Sequence, residues 1–160
     1  NLKMKVSVRA ANIDEKDTLD NLLQLYLHDF SEFAPDETDS QGRFTYPYLD
    51  HYWRDPQRFP FIIDVESNIA GFALVRCEND PTSGEPVTNL SEFFILRVFR
   101  NQGIGNKAAV KLWDSFPGKW QVNVLYTNKL AYPFWKHAIS RYTNNSFEEI
   151  NEDKITFLFG

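Results

Sequence analysis

Apolar positions recur along this chain with two different periods. Lys5-Val6-Ser7-Val8-Arg9 alternates and predicts a first strand. Leu19, Leu22, Leu23, Tyr26, Leu27 and Phe30 fall at helical spacing and predict a helix from Ile13 to Asp29 with one apolar face. Pro35 to Gly42 is polar and predicts a loop, and Tyr48 to Trp53 predicts a short second helix ended by Asp55-Pro56. Phe59 to Val65 and Ile69 to Cys77 read as strands joined by a tight turn around Ser67-Asn68. Asn79 to Gly84 is a loop, and Val87 to Leu96 is the next strand. A helix follows Gly105 and stops before Pro117-Gly118. Gln121 to Leu125 is a strand with Val122 and Val124 on one side, and Ala131 to Tyr142 is a helix with Asn128 near its start. Phe147 to Ile150 and Ile155 to Phe159 predict a closing hairpin. Strands alternating with helices indicate a mixed α/β or α+β domain, one sheet with helices on both faces.

Composition narrows the function classes. The 160 residues suit one domain, residues 1–160, and 42% hydrophobic content with 16% aromatics supplies a sizeable core. A net charge of -5 argues against a nucleic-acid binder, which would show a basic face. No apolar run is long enough to span a bilayer, so no membrane partner is expected. One cysteine, Cys77, excludes an internal disulfide, so a cytoplasmic location is expected and Cys77 reads as a small core filler. His28, His51 and His137 share no metal-ligand spacing, and no metal is expected.

The strongest local signal is Arg100-Asn101-Gln102-Gly103-Ile104-Gly105, between the apolar run Phe93 to Leu96 and a helix. A glycine turn opening a helix presents free main-chain N–H groups and a positive dipole end, which suits a phosphate. A Walker loop needs Gly-Lys-Ser/Thr, but Gly105 is followed by Asn106-Lys107-Ala108. Gly103, Gly105 and Ala108 match the spacing of a dinucleotide fold, yet Gln121 to Asn128 holds no acid to take a ribose. A nicotinamide enzyme is disfavoured on that ground.

Arg100-x-x-Gly103-x-Gly105 resembles the pyrophosphate loop of the GNAT superfamily of acyl-CoA-dependent N-acyltransferases. Asn128-x-x-Ala131-x-x-Phe134-Trp135 resembles a second block of that family, and the order of elements is similar over nearly the whole chain. The resemblance implies an α+β fold with a mostly antiparallel sheet, a splay between strands 4 and 5, and helices on both faces. It implies acetyl-CoA as co-substrate. Its diphosphate would meet the main chain of Asn101, Gln102, Gly103, Ile104, Gly105 and Asn106 beside Arg100. Its pantetheine arm would pair along Phe93, Phe94 and Ile95, with Asn128 and Trp135 near the cofactor. As alternatives, Asn128 caps the last helix and Trp135 packs in the core.

The reaction so implied moves an acetyl group to a primary amine. A lysine-type amine has a pKa of about 10.4, so about one in a thousand is nucleophilic at neutral pH and a base is needed. Glu92, a carboxylate within a mostly apolar run, is the expected base, with Asn89 as a fallback. Trp135 stands where many family members carry a Tyr, and an indole N–H is no useful acid. Tyr132, one helical turn earlier, is the expected substitute. Asp29, Phe30, Glu32 and Phe33 lie in a stretch that would cover the acceptor. Acids interleaved with aromatics there suit a small cationic amine. A protein amine is the other acceptor class, and homodimers are common in the family. The competing function is an acyl-CoA-binding regulatory module with little or no turnover.

Overall fold

The computed structural model describes residues 4–160. Strand β1 (Val6–Ala10) leads through a capped 3-10 turn at Ile13–Glu15 into helix α1 (Lys16–Phe30). After a loop and a 3-10 turn at Leu49–Trp53 come β2 (Arg58–Val65), β3 (Asn68–Asn79) and β4 (Pro86–Ile95). A short 3-10 turn, Arg97–Phe99, precedes α2 (Ile104–Ser115), then β5 (Trp120–Val124), α3 (Ala131–Thr143), β6 (Phe147–Asn151) and β7 (Ile155–Phe159). The predicted second helix is thus a single 3-10 turn. The hairpin turn falls on Glu66 and Ser67, both at positive φ, and Asn68 already belongs to β3.

The strands form one seven-stranded sheet in the order β1-β2-β3-β4-β5-β7-β6. All neighbours are antiparallel except β4 and β5, which are parallel. That parallel contact is short: Thr88 meets Trp120 and Asn89 meets Gln121, and no further pairs form. Beyond them β4 and β5 part. The sheet therefore has the splay that the resemblance implied.

Each face of the sheet has its own core. Leu19, Leu22 and Leu23 of α1, with Leu49 and Tyr52, pack on Ile62, Phe72, Leu74 and Phe94. The opposite face carries α2 and α3, where Ala108, Leu112, Trp113, Trp135 and Ile139 meet Ile63, Val75, Val122 and Phe157. Period-two alternation explains the sorting, since Ile62 and Ile63 are adjacent yet join different cores. Cys77 is half-buried, with its sulfur 3.7 Å from Thr88 Oγ1. No helix among the described residues is long and apolar enough to cross a membrane.

Gly71 leaves no room for a side chain between β3 and β4. A Cβ there would lie 1.9 Å from the carbonyl oxygen of Phe94. Gly71→Ala is therefore expected to push β3 off β4 and to destabilise the fold by about 3 kcal/mol. Urea unfolding midpoints measure this, and an unchanged midpoint would mean the strands do not approach so closely.

Candidate active site

Pairing between β3 and β4 slips by one residue. Leu74 faces Glu92, but Val75 faces Leu90, which leaves Ser91 as the extra residue of a bulge. Asn89 and Glu92 are three apart, so a regular strand would point them to opposite faces. The bulge brings both to the face covered by α1. Glu92 there accepts a hydrogen bond from Tyr26 Oη at 3.1 Å. Burial pushes its carboxyl up to about 7, while hydrogen bonds from Tyr26 and Tyr46 and the charge of Arg76 pull against that rise. The Tyr26 phenol is itself raised by burial and by the neighbouring carboxylate.

Glu92 opens into a cavity of about 260 Å³ beside the start of the splay. Tyr46, Tyr48 and Tyr52 close it from the α1–β2 segment, Arg58 comes from β2, Arg76 and Asn89 from β3 and β4, and Asn123 from β5. The three tyrosines, Arg58, Arg76 and Asn123 do not stand out as site residues in the sequence. A signal existed for Arg76: Phe72 and Leu74, four and two residues earlier, share its face and pack under α1.

The glycine turn lies next to the splay. Asn101 and Gly103 have φ of 62° and 78°, so the chain turns left-handed twice before α2. No side chain caps α2, and the N–H groups of residues 101–106 have no acceptor among the described residues. The first closing bond of the helix is Lys107 N to Gly103 O. Gly105 sits at the mouth of the splay, where a Cβ would come within 3.1 Å of Phe134 and 3.7 Å of Ile95. Asn106 Oδ1 is buried without a partner among the described residues. Phe93 packs against Phe134 and Trp135 with ring centroids 6.4 and 5.1 Å away. Phe94 turns the other way, into the α1 core.

Arg100 braces this turn. Its Nε donates to Ile95 O at 2.7 Å, its Nη2 to Asp29 at 2.8 Å, and it lies 5.5 Å from the Phe94 ring. Arg97 donates to the other Asp29 oxygen at 2.6 Å. Burial raises the Asp29 carboxyl, but the hydrogen bonds from Arg100 and Arg97 outweigh it and hold it below its ordinary range. Asp29 is thus a clamp between α1 and the turn.

The remaining expected residues are dispersed. Phe30 packs on Tyr26 and Phe33, Glu32 is exposed, and Phe33 O accepts from Thr127 Oγ1 at 2.9 Å across the splay. None of Asp29, Phe30, Glu32 and Phe33 lines the cavity at Glu92, so the acids expected to draw a cation are not part of it. Tyr132 faces β6 and β7, stacked on Phe157, and its hydroxyl bonds to both oxygens of Glu149 at 3.0 and 3.1 Å. The structure does not bring it to Glu92. Asn128 Oδ1 accepts from Ala131 N at 3.1 Å, so it caps α3. Trp135 is buried between Phe93 and Trp113. The described residues contain no cluster of acids, histidines and cysteines able to hold a metal.

The model of the acetyltransferase (GNAT) family matches residues 19–138. The chain belongs to the GNAT family of acetyltransferases. No curated protein matches its sequence. Solved structures share the fold at low identity. A GNAT-family acetyltransferase from Streptococcus agalactiae is 13% identical with a TM-score of 0.69, over 99% of this chain and 97% of that one. A predicted acetyltransferase from Clostridium acetobutylicum, solved with acetyl-CoA, is 13% identical with a TM-score of 0.67, over 92% and 93%. Arabidopsis thaliana Naa50, in complex with a CoA-Ac-MVNAL bisubstrate analogue, is 16% identical with a TM-score of 0.58, over 97% and 98%.

The state of Glu92 has a consequence for stability. Its pKa in the fold lies above the ordinary 4.5, so the folded chain holds a proton that the unfolded chain releases. The stability this group contributes is full below about 4.5 and is lost as pH rises towards about 7. Glu92→Gln removes that loss. Relative to the native chain, the variant is expected to gain up to about 3 kcal/mol between about pH 5 and pH 8. Denaturant melts across pH test this, and a pH-independent difference would contradict the buried, raised carboxyl.

Proposed function

We propose that the protein transfers an acetyl group from acetyl-CoA to the primary amine of a small molecule. One observation carries the reading: a carboxyl poised near neutrality opens into a cavity at the start of the splay, on the strand that leads to a helix start whose N–H groups have no acceptor among the described residues. The residues fit the co-substrate. Main-chain N–H groups of residues 101–106 would hold its diphosphate, and the left-handed turn at Gly103 leaves that backbone uncovered. Its pantetheine arm would lie along the edge of β4 at Phe93 to Ile95, where β5 has departed.

Acetyl-CoA supplies an activated acetyl thioester. Glu92 takes a proton from the acceptor ammonium, directly or through water, and the freed amine attacks the acetyl carbonyl carbon. The carbon–sulfur bond breaks, the thiolate leaves, and the second proton on the attacking nitrogen passes to that thiolate or to water as the amide forms. With a thiol pKa of about 8.5, that thiolate departs without an obligatory acid. The chemistry therefore does not require Tyr132, whose hydroxyl is engaged by Glu149. A base with a pKa near the working pH combines a useful ionised fraction with adequate proton affinity.

The second reading, an acyl-CoA-binding module with little turnover, is favoured by one observation. No phenol stands at the Trp135 position, and that indole is buried in the core. Thiol release with a panel of amines separates the two, since the module binds coenzyme A without releasing thiol.

Gly103→Glu is expected to lower coenzyme A affinity at least about tenfold, by charge and by strain at positive φ. Calorimetry on the folded variant measures it, and unchanged affinity would remove the turn from the binding site. For the native enzyme, kcat/KM should rise with pH through a pKa of about 7. Glu92→Gln should erase that limb and lower kcat by about a hundredfold or more. A variant keeping the native pH profile would rule out Glu92 as the base.

A further inference from the structure

The charges in the cavity are not those that a cationic acceptor would choose. Arg58 and Arg76 are directly opposite each other on β2 and β3, and both line the cavity. Like charges facing each other across an antiparallel pair destabilise it, with Cβ atoms only about 5 Å apart. Their carboxylate neighbours compensate weakly. Arg58 reaches Asp55 at 3.4 Å and Arg76 reaches Glu78 at 3.8 Å, and those acids are 43% and 41% exposed. Arg76 Nε is buried and donates to no acceptor among the described residues. A buried guanidinium N–H without a partner is expensive, and a ligand oxygen would satisfy it.

Position completes the argument. Arg76 pairs with Asn89, and Leu74, two residues back on β3, pairs with Glu92. All four point to one face because of the bulge. The two arginines therefore stand about 7 Å along the strands from the carboxylate that faces the acceptor amine. A polyamine would place a second cation against them.

We propose that the acceptor is an amino-acid-like molecule, a primary amine carrying a carboxylate a few bonds away, and that Arg76, aided by Arg58, holds that carboxylate. This rests on the transferase reading above and names its substrate class. Arg76 is the specificity-determining residue. Its planar fork binds a carboxylate through paired N–H groups, while Glu92 receives the ammonium at the other end. The cavity, at about 260 Å³, suits a compact molecule of this kind.

The test compares the standard amino acids, their carboxamides, phosphoethanolamine and spermidine as acceptors with acetyl-CoA, reading thiol release. A parallel titration with coenzyme A reports whether each variant is folded and binding. The expected result is a carboxylate amine preferred over its carboxamide by at least tenfold in kcat/KM. In Arg76→Gln that preference falls to near unity, through KM more than kcat, and Arg76→Lys restores part of it. Equal use of acids and carboxamides, or preference for phosphoethanolamine or spermidine, would overturn the proposal while leaving the transferase reading intact. Thiol release from no amine, with coenzyme A still bound, would overturn the transferase reading instead. The carboxylate site is then decided by calorimetry with the free amino acids. Saturable heat lost in Arg76→Gln sustains the site, and no heat overturns it.

Discussion

Where β4 and β5 stop pairing, the chain must do something with a strand edge. Main-chain groups on such an edge need partners, and a sheet interior normally supplies them. Here the pairing ends after Asn89 and Gln121, because β4 continues towards Ile95 while β5 ends at Val124 on a diverging line. The gap is not left empty. Phe134 and Trp135 from α3 press on Phe93 from one side, and Thr127 reaches over to the turn after α1 on the other. What remains is an unpaired strand edge, with a helix start without a side-chain cap beyond its C-terminal end and the half-buried carboxyl of Glu92 nearer its start. Each of these parts would be unfavourable alone. Together they are the features on which the proposed coenzyme A site rests.

Electrostatics divide this region into a braced part and a poised part. At the glycine turn, Asp29 is neutralised by Arg97 and Arg100, and Arg100 also ties the end of β4. These bonds brace the backbone whose N–H groups have no acceptor among the described residues, so the protein's own side chains hold the turn in shape. At Glu92 the balance is different. Phenols, not cations, are its hydrogen-bond donors, and burial wins over them. A neutral donor stabilises the carboxylate less than a guanidinium does, which keeps the group able to gain and lose a proton near neutrality. Asp29 and Glu92 are therefore held on opposite sides of their ordinary value by the kind of partner each has.

The sequence was informative where periodicity and turn chemistry act locally. The apolar face of α1 followed from spacing, the glycine turn was legible in Gly103 and Gly105, and the splay followed only from the resemblance to the GNAT superfamily. The turn between β2 and β3 was off by one residue because Glu66 and Ser67 adopt positive φ without a glycine to advertise it. Glu66 is held there by exchange with Lys5, whose N–H donates to its side chain and whose carbonyl accepts its N–H. Such long-range support cannot be seen in a window of a few residues. The same holds for Asp29: its acidity is visible in the sequence, but the arginines that claim it are far along the chain.

The β4 bulge had the largest effect on what could be foreseen. Alternation assigns every second residue of a strand to one face, so Asn89 and Glu92 ought to separate, and Glu92 ought to share a face with Leu90. One inserted residue reverses this. Leu90 goes to the α2–α3 core beside Val75, while Asn89 and Glu92 meet under α1. Without the bulge, Glu92 would enter the apolar core on the α2–α3 side, away from Tyr26 and from the cavity. The irregularity is therefore a condition for the site. A sheet whose register were perfect would bury this carboxyl among hydrocarbon side chains, away from the cavity it now lines.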